Sequence, residues 1–99
     1  MTLPAALVGG GDLFAMVVRD DSMIEAAIRD GDIAVVRRQA FAEPGDIVAA
    51  MVEGEPTVKV YRTARDGRVE LVPRNPRYEV ISADDAVILG AVVCVLRRV

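Results

Sequence analysis

The sequence predicts a single, mostly-β domain, and three observations lead to this prediction. Apolar residues make up 53% of the chain and aromatic residues only 4%, so the core must be built from Val, Ile, Ala and Leu. Short runs of these residues alternate with turn-forming Gly, Pro, Asn and Asp about every ten residues. Only one short segment has a helical pattern, and the 99 residues suit one domain without repeats.

The predicted elements follow one another with short turns between them. Residues 1–12 contain Pro4 and a run of glycines and are expected to form a linker, which leaves residues 13–99 as the domain. The short helix is expected at residues 23–28, and a bulge is expected at Gly90. The predicted strands cover residues 13–19, 33–36, 47–52, 57–63, 69–72 and 87–96.

Composition excludes several classes of function. The net charge of −3 and the scattered basic residues argue against direct DNA binding by this chain. No apolar run is long enough to span a membrane and no signal peptide is recognisable, so the cytoplasm is the expected location. The absence of His excludes Ser-His and Cys-His catalysis, and Cys94 alone cannot hold a metal. We therefore expect neither a metal nor a cofactor.

Ser22 has two competing interpretations. With Glu25 it fits the S-x-x-E capping box, in which each side chain satisfies a backbone N–H of the first helical turn. Alternatively, a Ser at a strand-to-helix junction is a candidate nucleophile, because free N–H groups nearby can hold a developing oxyanion. Spacing alone favours the cap.

Lys59 is the only lysine among twelve basic residues. On composition alone it could be a chance survivor on a strand. Because arginine stays protonated and the chain has no His, Lys59 is the only side-chain amine that could lose a proton to serve as a base. Its pKa would have to fall by about 3 units from about 10.4, which burial between Val58 and Val60 could achieve.

Several motifs, taken in order, extend over nearly the whole chain. They are Ser22-Met23 after a strand, Asp30-Gly31-Asp32, Gly45-Asp46-Ile47-Val48-Ala49, Thr57-Val58-Lys59, Pro73-x-Asn75-Pro76 and Ile88-Leu89-Gly90. This pattern resembles the C-terminal catalytic domain of LexA-type repressors, a family that includes UmuD-type proteins and phage repressors. The resemblance implies a compact domain of several short, coiled antiparallel sheets with one short helix after the nucleophile. Bacterial signal peptidases also pair a catalytic Ser with a Lys, but the Pro that they carry soon after Ser-Met is missing here.

The resemblance also implies a function and its residues. In this family a Ser-Lys dyad cuts the protein's own backbone, usually at an Ala-Gly bond, when an activated RecA filament induces the SOS response to DNA damage. The matching positions are Ser22 as nucleophile and Lys59 as general base, with backbone amides near Ser22 as oxyanion donors. Met23 and Asp21 would line the site. The family dimerises through its C-terminal strand, which places Val92, Cys94 and Leu96 at the expected homodimer interface.

The chain departs from the family pattern in ways that leave a rival interpretation open. It contains no Ala-Gly dipeptide and no DNA-binding helix-turn-helix, so these residues could cut only a substrate supplied in trans. Asp20 stands where the family usually has Gly, and together with Asp21 it could keep Lys59 protonated. The rival is a non-catalytic dimerisation and protein-interaction module that keeps the same fold. A generic β-domain in which Ser22 only caps a helix is a third interpretation.

Overall fold

Seven strands form one antiparallel sheet in the structure, a computed structural model that describes residues 11–98. The strands are β1 (Leu13–Val17), β2 (Ile33–Arg38), β3 (Ile47–Val52), β4 (Glu55–Thr63), β5 (Val69–Val72), β6 (Ile81–Ser82) and β7 (Ala86–Leu96). Two short 3₁₀ helices, Ile24–Ala26 and Ala83–Asp85, precede β2 and β7. The mostly-β prediction is confirmed. The linker predicted over residues 1–12 lies almost entirely outside the described residues.

The most apolar strands occupy the middle of the sheet, whose order is β1-β2-β7-β3-β4-β5-β6. Residues 34–36 of β2 and 48–50 of β3 are buried in unbroken runs, so these strands are covered on both faces. β7 pairs with both of them, antiparallel in each case. The last described strand therefore joins the first two strands to the other four.

The strands form one continuous sheet rather than the several short sheets that were expected. Strands that are not neighbours contribute to the same core, and from this we infer that the sheet is strongly curved. Val36 of β2 and Val60 of β4 pack in one apolar cluster, although β7 and β3 lie between their strands. This cluster also contains Met23 and Val58 and lies directly behind the candidate catalytic residues.

Gly90 lies in β7 where two backbones come unusually close. A Cβ atom at this position would be 2.1 Å from the carbonyl oxygen of Arg37, so only glycine fits. The pairing of β7 shifts on either side of it, leaving Leu89 unpaired against β3 and Val93 unpaired against β2. The irregularities thus flank Gly90 instead of falling on it, and they help the long strand to bend.

The helix expected at residues 23–28 is reduced to a 3₁₀ turn at Ile24–Ala26. Ala27 closes it by adopting a left-handed conformation with φ of 61°, and the Ile28 N–H then donates to the Met23 carbonyl at 3.2 Å. This closure is the usual way to end a helix, although glycine is the commoner residue there. The capping box is not formed, because Met23 occupies the N-cap position and no side chain caps the turn.

Candidate active site

Ser22 lies in the turn between β1 and the first 3₁₀ helix and is only 1% exposed. Its backbone N–H donates to Oδ1 of Asp20 at 2.9 Å, and its side chain is free of any capping role. Of the two interpretations of Ser22, the helix cap is therefore wrong. The hydroxyl is instead directed to the side chain of Lys59.

The segment from Pro73 to Pro76 holds the Ser22 turn from the other side. The Arg74 N–H donates to the Ser22 carbonyl at 2.7 Å, and the Arg74 carbonyl accepts from the Glu25 N–H at 2.9 Å. The Asn75 side chain adds a third bond, from Nδ2 to the Asp21 carbonyl at 2.9 Å. These bonds fix the backbone on both sides of the hydroxyl. The sequence marks this segment as a motif but does not show that it anchors Ser22.

Lys59 reaches Ser22 from the middle of β4. Its Nζ donates to Ser22 Oγ at 2.9 Å and also to Thr57 Oγ1, which lies on the same face of the strand. The lysine is 3% exposed, and Val58 and Val60 on the opposite face are also buried, so β4 is covered on both faces here. This burial is the main cause of a lowered pKa for Lys59.

Asp20 brings a carboxylate into the same site. Besides accepting from the Ser22 N–H, it acts on Lys59 through space and raises the pKa that burial lowers. The pKa of Lys59 nevertheless lies below its ordinary value of 10.5, because burial has a larger effect than Asp20. Asp20 therefore contacts the backbone of Ser22 and opposes deprotonation of the Lys59 amine.

A cleft of about 400 Å³ opens beside Lys59 and offers room for a peptide segment. Its charged lining is predominantly acidic, with four carboxylates and two basic side chains, Arg19 and Lys59. The residues that line it are Met16, Val18, Arg19, Asp20, Val52, Glu53, Glu55, Pro56, Thr57, Val58, Lys59, Tyr78, Glu79 and Ile81.

Two residues expected to line the site lie elsewhere. Met23 is fully buried in the apolar cluster behind the turn, where it packs instead of facing the cleft. The Asp21 side chain is exposed, and its backbone carbonyl accepts from Asn75 Nδ2 and from the Ile24 N–H. Both therefore support the position of Ser22, and like Ser22 itself they are not among the residues that line the cleft beside Lys59.

The residues expected at a dimer interface lie on β7 with different orientations. Val92 packs against the apolar cluster of its own chain, whereas the half-buried Cys94 and Leu96 belong to neither core cluster. β7 pairs with β3 over residues 86–91 and with β2 over residues 90–96, so only Gly90 and Ala91 are paired on both sides. Among the described residues, the edge of 92–96 that faces away from β2 has no strand partner, so a partner could contact this half of β7 through its outer face or add a strand to that edge.

An ion pair between the buried Asp32 and the partly exposed Arg97 ties the end of β7 to the loop after the Ser22 turn. Asp32 is 2% exposed and accepts from Arg97 Nε at 2.9 Å and Nη2 at 2.8 Å. The Arg29 N–H also donates to it at 2.8 Å, and Arg97 Nη2 donates to the Ala27 carbonyl at 2.9 Å. These contacts, with the Arg97 bond as the largest cause, lower the pKa of Asp32 from 3.8 to about 2. The sequence indicated only a turn here.

Within residues 11–98, no three His, Cys, Asp or Glu side chains lie close enough together to hold a metal ion. No helix in this part of the chain is both long enough and apolar enough to cross a membrane.

Comparison with known proteins gives a consistent family assignment. The profile of the family described as Peptidase S24-like matches residues 1–93. The LexA repressor 1 of Nocardia farcinica is 63% identical over 99 residues, which cover 100% of this chain and 45% of that protein. The LexA repressor of Streptomyces coelicolor is 62% identical over 98% of the chain and 41% of the relative. That of Acidothermus cellulolyticus is 57% identical over 97% of the chain and 34% of the relative. The chain thus spans less than half the length of these relatives.

Proposed function

Because the chain belongs to the Peptidase S24-like family, we propose that it is the Ser-Lys peptidase domain of a LexA-like repressor. Ser22 is the nucleophile and Lys59 the general base. The observation that carries this proposal is the buried hydrogen bond of 2.9 Å between Lys59 Nζ and Ser22 Oγ. A hydroxyl within hydrogen-bond reach of its base is the arrangement that nucleophilic catalysis requires.

The reaction proposed is hydrolysis of a peptide bond in two steps. Neutral Lys59 takes the proton of Ser22 as Oγ attacks the carbonyl carbon, and the resulting ammonium then gives that proton to the leaving amine. Water attacks the ester formed on Ser22, transfers a proton through Lys59 and releases the new carboxyl end. Thr57 Oγ1 accepts an N–H of Lys59 and so leaves the lone pair of the neutral amine directed at Ser22.

The substrate and the setting follow from the family. We propose that the bond cut is an Ala-Gly bond upstream of the dyad in the repressor's own backbone, and that cutting it relieves repression in the SOS response. The activated RecA filament is the proposed stimulus, and DNA contact is assigned to a separate domain. The homodimer would form through the C-terminal half of β7, where residues 92–96 are paired on one side only and Cys94 and Leu96 belong to neither core cluster.

The test supplies a peptide that contains Ala-Gly in trans and follows the products by mass spectrometry. Cleavage should rise with pH, because only neutral Lys59 can accept the Ser22 proton, and it should reach half its maximum below pH 10.5. Ser22→Ala and Lys59→Met should abolish it. Lys59→Arg keeps the positive charge without a removable proton and should be equally inactive.

The matched control removes a hydroxyl from the same strand as the lysine. Thr63 is exposed at the last position of β4, and Thr63→Ala should cleave like the unaltered chain. All variants must melt at similar temperatures for the comparison to count. Cleavage that persists in both Ser22→Ala and Lys59→Arg would refute the proposed dyad.

One observation favours the rival function of a non-catalytic dimerisation module. The Asp20 carboxylate is bonded to the Ser22 N–H, where an oxyanion would otherwise be held. If the chain is such a module, no Ala-Gly peptide is cut at any pH. Sedimentation should still detect a dimer of the chain, and Leu96→Glu should weaken that dimer. The close approach of Lys59 to Ser22 supports the peptidase over this rival.

A further inference from the structure

Asp20 occupies a position that the reaction itself needs. Its Oδ1 accepts the Ser22 N–H at 2.9 Å, and its side chain lines the same cleft as Lys59. The N–H of the nucleophilic residue points toward the place where negative charge develops when Oγ attacks a carbonyl. A carboxylate already bonded there must move, or be neutralised, before an oxyanion can take its place.

We propose that Asp20 is an attenuating residue of the active site, whose carboxylate covers the oxyanion-binding amide of Ser22 and places a negative charge against Lys59. This inference rests on the proposed peptidase function. It makes the described arrangement a resting state, which agrees with the 1% exposure of Ser22. Substrate binding then has to displace the carboxylate, so basal cleavage is slow.

The bond from Asp20 is not needed to shape the turn. The Ser22 carbonyl is already held by the Arg74 N–H at 2.7 Å, and Asn75 Nδ2 holds the Asp21 carbonyl at 2.9 Å. An uncharged asparagine at position 20 would form the same side-chain bond to the Ser22 N–H. The variant Asp20→Asn can therefore remove the negative charge at this position and keep the geometry of the turn.

Other charged groups around the cleft do not act in the same way. Arg19 precedes Asp20 in the loop, Glu53 and Glu55 come from the β3–β4 turn, and Tyr78 and Glu79 come from the segment before β6. Among these charged groups only Asp20 acts on Lys59, and its carboxylate raises the Lys59 pKa. Asp20 is therefore the group through which the protonation of Lys59 is expected to be set.

The charge is tested by a measurement that needs no cleavage. Lys59 is the only lysine of the chain, so labelling lysine with ¹³C gives one side-chain NMR signal that reports its titration. Asp20→Asn should lower the titration midpoint, since the Asp20 carboxylate favours the charged form of the amine and the amide does not. Asp30→Asn, an exposed carboxylate outside the cleft, should leave the midpoint unchanged. An unchanged midpoint in Asp20→Asn overturns this part of the proposal.

The oxyanion contact is tested by the rate of Ala-Gly peptide cleavage above the Lys59 midpoint. There the base is neutral in every variant, so differences in rate report the Ser22 amide. Asp20→Ala should cleave at least about tenfold faster than Asp20→Asn, because only alanine uncovers a donor, and one such donor is typically worth about a hundredfold or more. Asp20→Gly serves as a second uncovering variant if Asp20→Ala is unstable. Equal cleavage rates in Asp20→Asn, Asp20→Ala and Asp20→Gly would overturn the proposal that Asp20 covers the Ser22 amide.

The two proposals fail in distinguishable ways. If the dyad is wrong, Ser22→Ala cleaves as well as the unaltered chain, while the lysine titration still reports whether Asp20 acts on Lys59. If only the role of Asp20 is wrong, Ser22→Ala is inactive, and Asp20→Asn and Asp20→Ala have the pH profile and the rate of the unaltered chain.

Discussion

Removing the charge of Asp32 should change how the stability of the domain depends on acid. Its carboxylate has a pKa of about 2 in the folded chain against an ordinary value of 3.8. A group whose pKa is lowered by folding stabilises the fold above its unfolded value, and this contribution is lost as the pH falls through the folded value. The loss should therefore occur between about pH 4 and pH 2.

The size of this effect follows from the shift. A difference of 3.8 against about 2, at about 1.4 kcal/mol per unit, gives about 2 kcal/mol. We take this as an upper bound. Asp32 is covered mainly by its partners, and the side chain of Arg97 is itself 47% exposed, so solvent screens the pair.

The assay is urea unfolding followed by circular dichroism at a series of pH values. Asp32→Asn should be less stable than the unaltered chain at neutral pH by up to about 2 kcal/mol, and the difference should shrink toward pH 2. The matched control is Asp66→Asn, whose partner Arg68 lies 3.7 Å away with both side chains well exposed, and it should change little at any pH. If Asp32→Asn and the unaltered chain lose stability in parallel as the pH falls, the pair does not act as described.

The remaining predictions concern the site and the sheet. Thr57→Val should slow Ala-Gly cleavage severalfold with little change in melting temperature, because Lys59 loses the hydroxyl that orients it. Asn75→Ala should lower both cleavage and stability, the latter by about 1 kcal/mol, measured by urea unfolding, since the Asp21 carbonyl loses a donor. Gly90→Ala should leave no soluble folded protein, because its Cβ would overlap the Arg37 carbonyl, whereas Ala40→Gly should express normally. A well-folded Gly90→Ala, an unaffected Asn75→Ala or a fully active Thr57→Val would each contradict its prediction.

Local sequence patterns were sufficient to predict most of the strands. The β3 and β5 bounds match the predictions, because turn residues at Gly45-Asp46, Glu53-Gly54 and Gly67-Arg68 delimit the two apolar runs. The two-residue strand β6 was missed, since it forms only by pairing with Glu70 and Leu71 of β5. Such long-range pairing leaves no periodic signal in so short a segment.

The proximity of Ser22 and Lys59 was predicted from the sequence, but the contacts that hold them in place were not. The missing histidines and the lone lysine single out Lys59, and the structure brings its amine within 2.9 Å of Ser22 Oγ. The anchoring bonds from Arg74 and Asn75 and the Asp32–Arg97 pair join positions far apart in the chain. Sequence spacing carries no information on such contacts. The S-x-x-E pattern was misleading because Met23, and not Ser22, occupies the N-cap position of the short turn.

The place of β7 in the sheet sets the order in which the site can be assembled during synthesis. Ser22 belongs to the half formed by β1 and β2, Lys59 belongs to the half formed by β3 to β6, and β7 lies between them. A nascent chain that has emerged from the ribosome only as far as Asp85 contains both reactive side chains but not the strand that joins their halves. Until β7 has been made, Ser22 and Lys59 can meet only through direct contacts between the two halves, such as those of Arg74 and Asn75 with the Ser22 turn, without the strand that pairs with both.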